Sequence, residues 1–76
     1  MATDMWAKFM TLGSKYLNRI YQDMERMRLL SGMDRENVRI AALSVAKGNL
    51  TDRQVKRLVQ IFKKLEEDTD YIIPEK

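Results

Sequence analysis

The sequence predicts a small all-α protein, a four-helix bundle folded as a single domain. Three observations predict it. Apolar residues recur at spacings of three and four from end to end, glycines and polar caps cut the chain into four pieces of helical length, and no stretch alternates as a strand would. A chain of 76 residues has room for one domain.

Thr3 is placed to cap a first helix that carries Met5, Trp6, Phe9, Met10 and Leu12. Gly13-Ser14 interrupts it. The apolar stripe runs almost in phase across Gly13, through Phe9, Leu12, Tyr16 and Ile20, so one long kinked helix is the alternative to the break expected here. Ser14 is the expected cap of a second helix, with Leu17, Ile20, Tyr21, Met24 and Met27 on one face. Ser31-Gly32 is expected to end that helix through a left-handed residue. Asp34 is then the cap expected for a short third helix. Its inner face would hold Val38, Ala41, Ala42 and Val45, widened by Ile40 and Leu43, and Gly48 would close it.

The fourth helix has the clearest start. Thr51-Asp52-Arg53-Gln54 reads as a capping box, with Leu50 and Val55 as its hydrophobic staple. The helix is expected to run to about Glu66, giving a helical domain over 1–66 and an acidic tail over 67–76. Tyr71-Ile72-Ile73 is too apolar for a purely solvated tail and is expected to fold back, before Pro74 ends regular structure.

With no cysteine and no histidine, the chain can form neither disulfides nor thiolate or imidazole metal sites, so a hydrophobic core must suffice. A domain this small buries only about 60–65% of its unfolded surface, and its stability is expected to be marginal. No apolar run reaches the ~18 residues of a membrane span, and the first residues lack the basic and apolar regions of a signal peptide. A soluble, cytoplasmic monomer without cofactor, metal or membrane contact is expected. Catalysis lacks its parts: there is no His or Cys base or nucleophile, and none of the common phosphate-loop, nucleophile-elbow or EF-hand spacings occurs. A binding protein, not an enzyme, is expected.

Charge is distributed unevenly. Residues 66–75 hold five acids and no base, whereas residues 1–65 hold 13 bases against six acids, a net of +7. On the fourth helix, with Arg53 as origin and about 100° per residue, Lys64, Arg57, Gln60, Lys56 and Lys63 fall at roughly +20°, +40°, −20°, −60° and −80°. Val55, Leu58, Val59, Phe62 and Leu65 fall opposite. Five cations share one fan with no acid inside it, although clustered like charges cost roughly 0.2–0.5 kcal/mol per adjacent pair. Such a fan can bind phosphates: Arg53 and Arg57 fork onto phosphate oxygens, and Lys56, Lys63 and Lys64 act as point charges. Lys47 and the amides near Gly48-Asn49 flank the start of the same helix. An ordinary solvated face is the alternative reading.

The other charged and aromatic groups carry less. Asp23 can pair with Arg19 or Arg26, and Glu25 with Arg28, which reads as a salt-bridged solvated face. Arg35 and Arg39 could extend the basic surface. Met5, Met10, Met24 and Met27, with Trp6, Phe9, Tyr16 and Tyr21, read as core; Trp6 or Tyr16 would stack on a base only if exposed.

Lys47-Gly48-Asn49-Leu50-Thr51-Asp52-Arg53-Gln54, followed by Val55, Leu58 and Val59, resembles the LTxxQ helix start of small helical modules that accompany phage DNA-processing enzymes. Length, helix pattern and acidic tail together resemble the small companion proteins of the T-even phage UvsW recombination helicase, across the whole chain. The resemblance implies a bundle similar to the HRDC module, a nucleic-acid-binding accessory domain of RecQ-type helicases, and a role in phage DNA recombination, repair or replication. No HRDC signature residue aligns here, so the candidate nucleic-acid-binding residues remain Lys47, Arg53, Lys56, Arg57, Lys63 and Lys64. DNA is expected before RNA, with a helicase or another DNA-processing protein as partner. The rival reading is a protein–protein adaptor or inhibitor that uses the Tyr71-Ile72-Ile73 tail or a methionine patch. A third expectation joins the two, with the tail's acids competing with phosphates for the fourth helix.

Overall fold

The computed structural model describes residues 2–75 and contains, among them, four helices and no strand. These are α1 (Ala2–Leu12), α2 (Ser14–Met27), α3 (Gly32–Lys47) and α4 (Asp52–Asp68). The all-α bundle read from the sequence is the fold.

The break at Gly13 is real, and glycine makes it. Gly13 donates to the Phe9 carbonyl, finishing α1, and its own carbonyl accepts from Leu17, beginning α2. Between those bonds its backbone sits at φ 90°, ψ 165°, a combination essentially reserved for residues without Cβ. Gly13, not Ser14, is therefore the cap of α2, and no side chain caps it. At the other end, α1 begins at Ala2, so Thr3 lies within the helix and not at its cap.

The α2–α3 junction departs most from expectation. α2 ends at Met27 through Arg28 in the left-handed region, where Arg28 and Leu29 amides close onto Glu25 and Met24 carbonyls. Ser31 then caps α3, its hydroxyl accepting from the Asp34 amide, and Gly32 opens the helix. Asp34 is thus a first-turn residue and not the cap, and α3 is a full 16 residues. The reason is local geometry: a serine three residues before an aspartate satisfies the orphan amides earlier than Asp34 could. Arg35 secures the junction by donating to the Leu29 and Leu30 carbonyls, with Glu25 3.4 Å from its Nε.

The remaining caps match the sequence. Gly48 closes α3 at φ 74°, and Thr51 and Gln54 form the reciprocal capping box of α4. Leu50 and Val55 are buried together beneath it. α4 continues to Asp68, two residues past the expected end, where the Thr69 hydroxyl donates to the Leu65 carbonyl.

The core draws on all four helices: Phe9, Leu17, Ile20, Met24, Val38, Ala41, Ala42, Val45, Val55, Leu58, Ile61 and Leu65, with Leu50 from the corner. Each large aliphatic or aromatic side chain so buried stabilises the fold by roughly 1.5–3 kcal/mol before entropy is counted. α3 packs most extensively on α2, while α4 lies against both α1 and α3. Phe9 meets Phe62 edge-on at 5.4 Å, and the Trp6 indole donates to the Leu50 carbonyl at 2.7 Å. Met27 and Ile40 and Leu43, expected to add to the apolar faces, stand exposed.

Candidate nucleic-acid interface

α4 is held in place by two polar links to α3. Gln54 Nε2 donates to Ser44 Oγ at 2.8 Å, and Lys64 Nζ donates to Asp34 Oδ2 at 3.4 Å. Both pairs keep one antiparallel register, early α4 beside late α3 and late α4 beside early α3. This docking rotates α4 relative to the wheel expectation. Ile61, which the sequence left outside the apolar face, is fully buried towards α3, while Val59, assigned to that face, is exposed. The rotation leaves the basic fan pointing away from the core.

Lys47, Arg53, Lys56, Arg57, Lys63 and Lys64 are all exposed. The first five make no ion pair among the described residues. Lys64 does: Asp34, almost wholly buried, takes its charge. The extra length of α4 adds a second change. At about 100° per residue, Glu67 falls at roughly −40°, inside the fan, one turn beyond Lys63 and Lys64. The fan is therefore divided. Its amino-terminal half is uncompensated, and its carboxy-terminal half is tempered by Asp34 and Glu67. Asp34, 30 residues away in sequence, could not be read from periodicity within α4, and Glu67 enters the fan because the helix runs past Glu66.

The backbone anion site expected around Gly48-Asn49 is closed. The Gly48 amide bonds to the Ser44 and Val45 carbonyls, and the Asn49 amide to Ser44. At the α4 start, Thr51 and Gln54 amides are taken by the capping box and Val55 by the Thr51 carbonyl. Around Gly48-Asn49, phosphate recognition would therefore fall to side chains.

No family model, no curated protein and no solved structure matches the chain. The site therefore stands on its own geometry.

The other candidates resolve differently. Arg35 is largely buried on the Leu29 and Leu30 carbonyls and Glu25, and Arg39 is paired with Glu36, so neither extends the basic surface. The Glu36 carboxyl is held below its usual range by the hydrogen bond from Arg39. Asp23 pairs with Arg26 at 2.9 Å, as the spacing allowed, but Glu25 turns to Arg35 and not to Arg28. Trp6 and Tyr16 are anchored inward, the latter donating to the Pro74 carbonyl at 2.7 Å. The tail does fold back, but onto α2: the Tyr71 hydroxyl donates to Asp23 at 2.7 Å, and Tyr71 and Ile73 pack on the core. The 71–74 segment engaged there carries no acid; of the acids expected to compete with phosphates, Glu67 lies within the fan as part of α4. No helix among the described residues is long and apolar enough to cross a membrane, and no metal-ligating cluster occurs among them.

Proposed function

We propose that the chain is a non-enzymatic nucleic-acid-binding module that grips a nucleic acid, DNA before RNA as the first candidate, through its backbone phosphates. In this reading it serves as an accessory to a larger DNA-processing enzyme such as a helicase. One observation carries the proposal: Arg53, Lys56, Arg57 and Lys63 on one side of α4, with Lys47 at the end of α3, are exposed and have no carboxylate at ion-pair distance among the described residues. Grouping them costs repulsion that a polyanion would turn into attraction, with release of counterions. Arg53 and Arg57, one turn apart, supply planar forks that fit phosphate oxygens, and the lysines supply charge. The resemblance to helicase companions agrees with this reading. It covers the chain but assigns no residue.

The test is a titration of labelled duplex and single-stranded DNA, followed by fluorescence anisotropy at several salt concentrations. Affinity should fall steeply with salt. Replacing Arg53, Lys56 and Arg57 together by alanine should reduce the logarithmic salt slope by about 2–3, since each neutralised duplex phosphate contributes about 0.9. Binding indifferent to both salt and the triple replacement would sink the reading.

The adaptor alternative loses part of its expected contact. Of Tyr71-Ile72-Ile73, Ile72 is 86% exposed, whereas Tyr71 and Ile73 are partly buried against the core.

A further inference from the structure

α3 has two faces with opposite fates. Val38, Ala41, Ala42 and Val45 are buried, whereas Met33, Ile40 and Leu43 are 74%, 41% and 47% exposed. At about 100° per residue, Met33, Glu36, Ile40, Leu43 and Lys47 fall within an outward arc of roughly 80°. Their separations alternate three, four, three, four, which is the seam spacing of a coiled coil. Glu36 is neutralised by Arg39, so the charge left uncompensated on this seam is that of Lys47.

The antiparallel register with α4 sets Arg57 level with Ile40-Ala41 and brings Arg53 near the Lys47 end. The seam therefore offers Met33, Ile40 and Leu43, with the Glu36–Arg39 pair between the first two, and is cationic at its Lys47 end and along the flank that α4 supplies.

We propose that this α3 seam docks an amphipathic, acidic helix of a partner protein. Leucine-like side chains of that helix would cover Met33, Ile40 and Leu43, and its carboxylates would meet Lys47 and Arg57. Charge complementarity selects this occupant. A second copy would bring cations of its own to the same place. A bilayer suits a broad apolar face, and this one is a single file interrupted by the Glu36–Arg39 pair. A phosphate backbone offers Ile40 and Leu43 nothing to bury against. The proposal does not rest on DNA binding, although Lys47 and Arg57 border both surfaces.

The probe is a fluorescent synthetic peptide with leucine at the first and fourth positions of each heptad and glutamate on both flanks. It is titrated against the full chain beside a scrambled peptide and a lysine-flanked one. The acidic heptad should bind, and both controls should bind at least about tenfold more weakly. Ile40→Ser with Leu43→Ser should weaken it by about tenfold or more while circular dichroism and DNA binding stay unchanged. Met33→Ser, at the most exposed of the apolar seam positions, should weaken it at little cost to the fold. Absence of binding by the acidic heptad, or binding equal to the controls, overturns the proposal. So does binding to phosphatidylserine vesicles that the Ile40/Leu43 change abolishes, or self-association in sedimentation that the same change removes. Weakened DNA binding in an Arg53→Ala, Lys56→Ala variant, which leaves Lys47 and Arg57 in place, with peptide binding kept, separates the two surfaces.

Discussion

Lys64 Nζ stands 3.4 Å from Asp34 Oδ2, so the cation nearest the end of the α4 fan is turned onto the first turn of α3. The pair ties two antiparallel helices together at the end opposite the Gln54–Ser44 link. Lys64 remains about half exposed, and solvent screening keeps the pair's contribution to stability small.

Asp34→Asn should release Lys64 to solvent. If the fan binds phosphates, the salt slope for duplex DNA should steepen by somewhat less than one, and low-salt affinity should rise. Stability by urea unfolding should fall by only about 1 kcal/mol or less, from the lost pair and from the lost charge near a helix start. An unchanged slope would count against α4 as the phosphate surface.

Gly13→Ala should destabilise the chain by about 1–3 kcal/mol. A Cβ at Gly13 would meet nothing within 4 Å, so the penalty is one of backbone conformation and not of crowding. Chemical synthesis with D-alanine at position 13 should remove most of it, because the mirror residue accepts φ 90°. Equal destabilisation by both enantiomers would show that space, and not the dihedral, is limiting.

Thr51→Ala should cost about 1 kcal/mol, the usual worth of a cap hydroxyl. Gln54→Ala should cost more than the cap alone, since Gln54 also donates to Ser44. In the double variant the two losses should fall short of additive, because the residues share the capping box. Thermal melting of the four chains measures this directly.

Tyr71 should make the fold sensitive to alkali. Burial first, then its hydrogen bond to Asp23, pushes the phenol well above its ordinary value. A raised folded value means the contribution is complete below the unfolded value near pH ~10 and is lost as pH rises through the folded one. Stability should therefore hold to about pH 10 and fall beyond it. Tyr71→Phe should lower neutral-pH stability by about 1–2 kcal/mol and flatten the alkaline fall. Tyr16, whose phenol burial also pushes up, should leave a residual slope.

Much of the fold was legible because its signals are local. The Gly13 break, the Gly48 stop and the Thr51–Gln54 box each depend on residues within one turn, and each appears where the sequence put it. The Ser31–Asp34 junction is ambiguous in the sequence because two polar residues three apart can each cap, and only the closing of the Arg28 turn decides between them. In the candidate site, the exposure of the basic fan followed from periodicity. Its division did not, since Lys64 is neutralised by a residue on another helix and Glu67 joins the fan only because α4 runs on.

What the sequence by itself determined is the set of helices, the Gly48 stop, the Thr51–Gln54 capping box and the clustering of cations on one side of the last helix, all consequences of spacing along a few turns of backbone. What only the tertiary structure decided is how α4 is rotated against α3, and with it which cations stay free and which apolar residues, Ile40 and Leu43 among them, are left facing water. Rotation of one helix on another is fixed by side chains far apart in the chain meeting in space, and helical periodicity holds no record of those meetings.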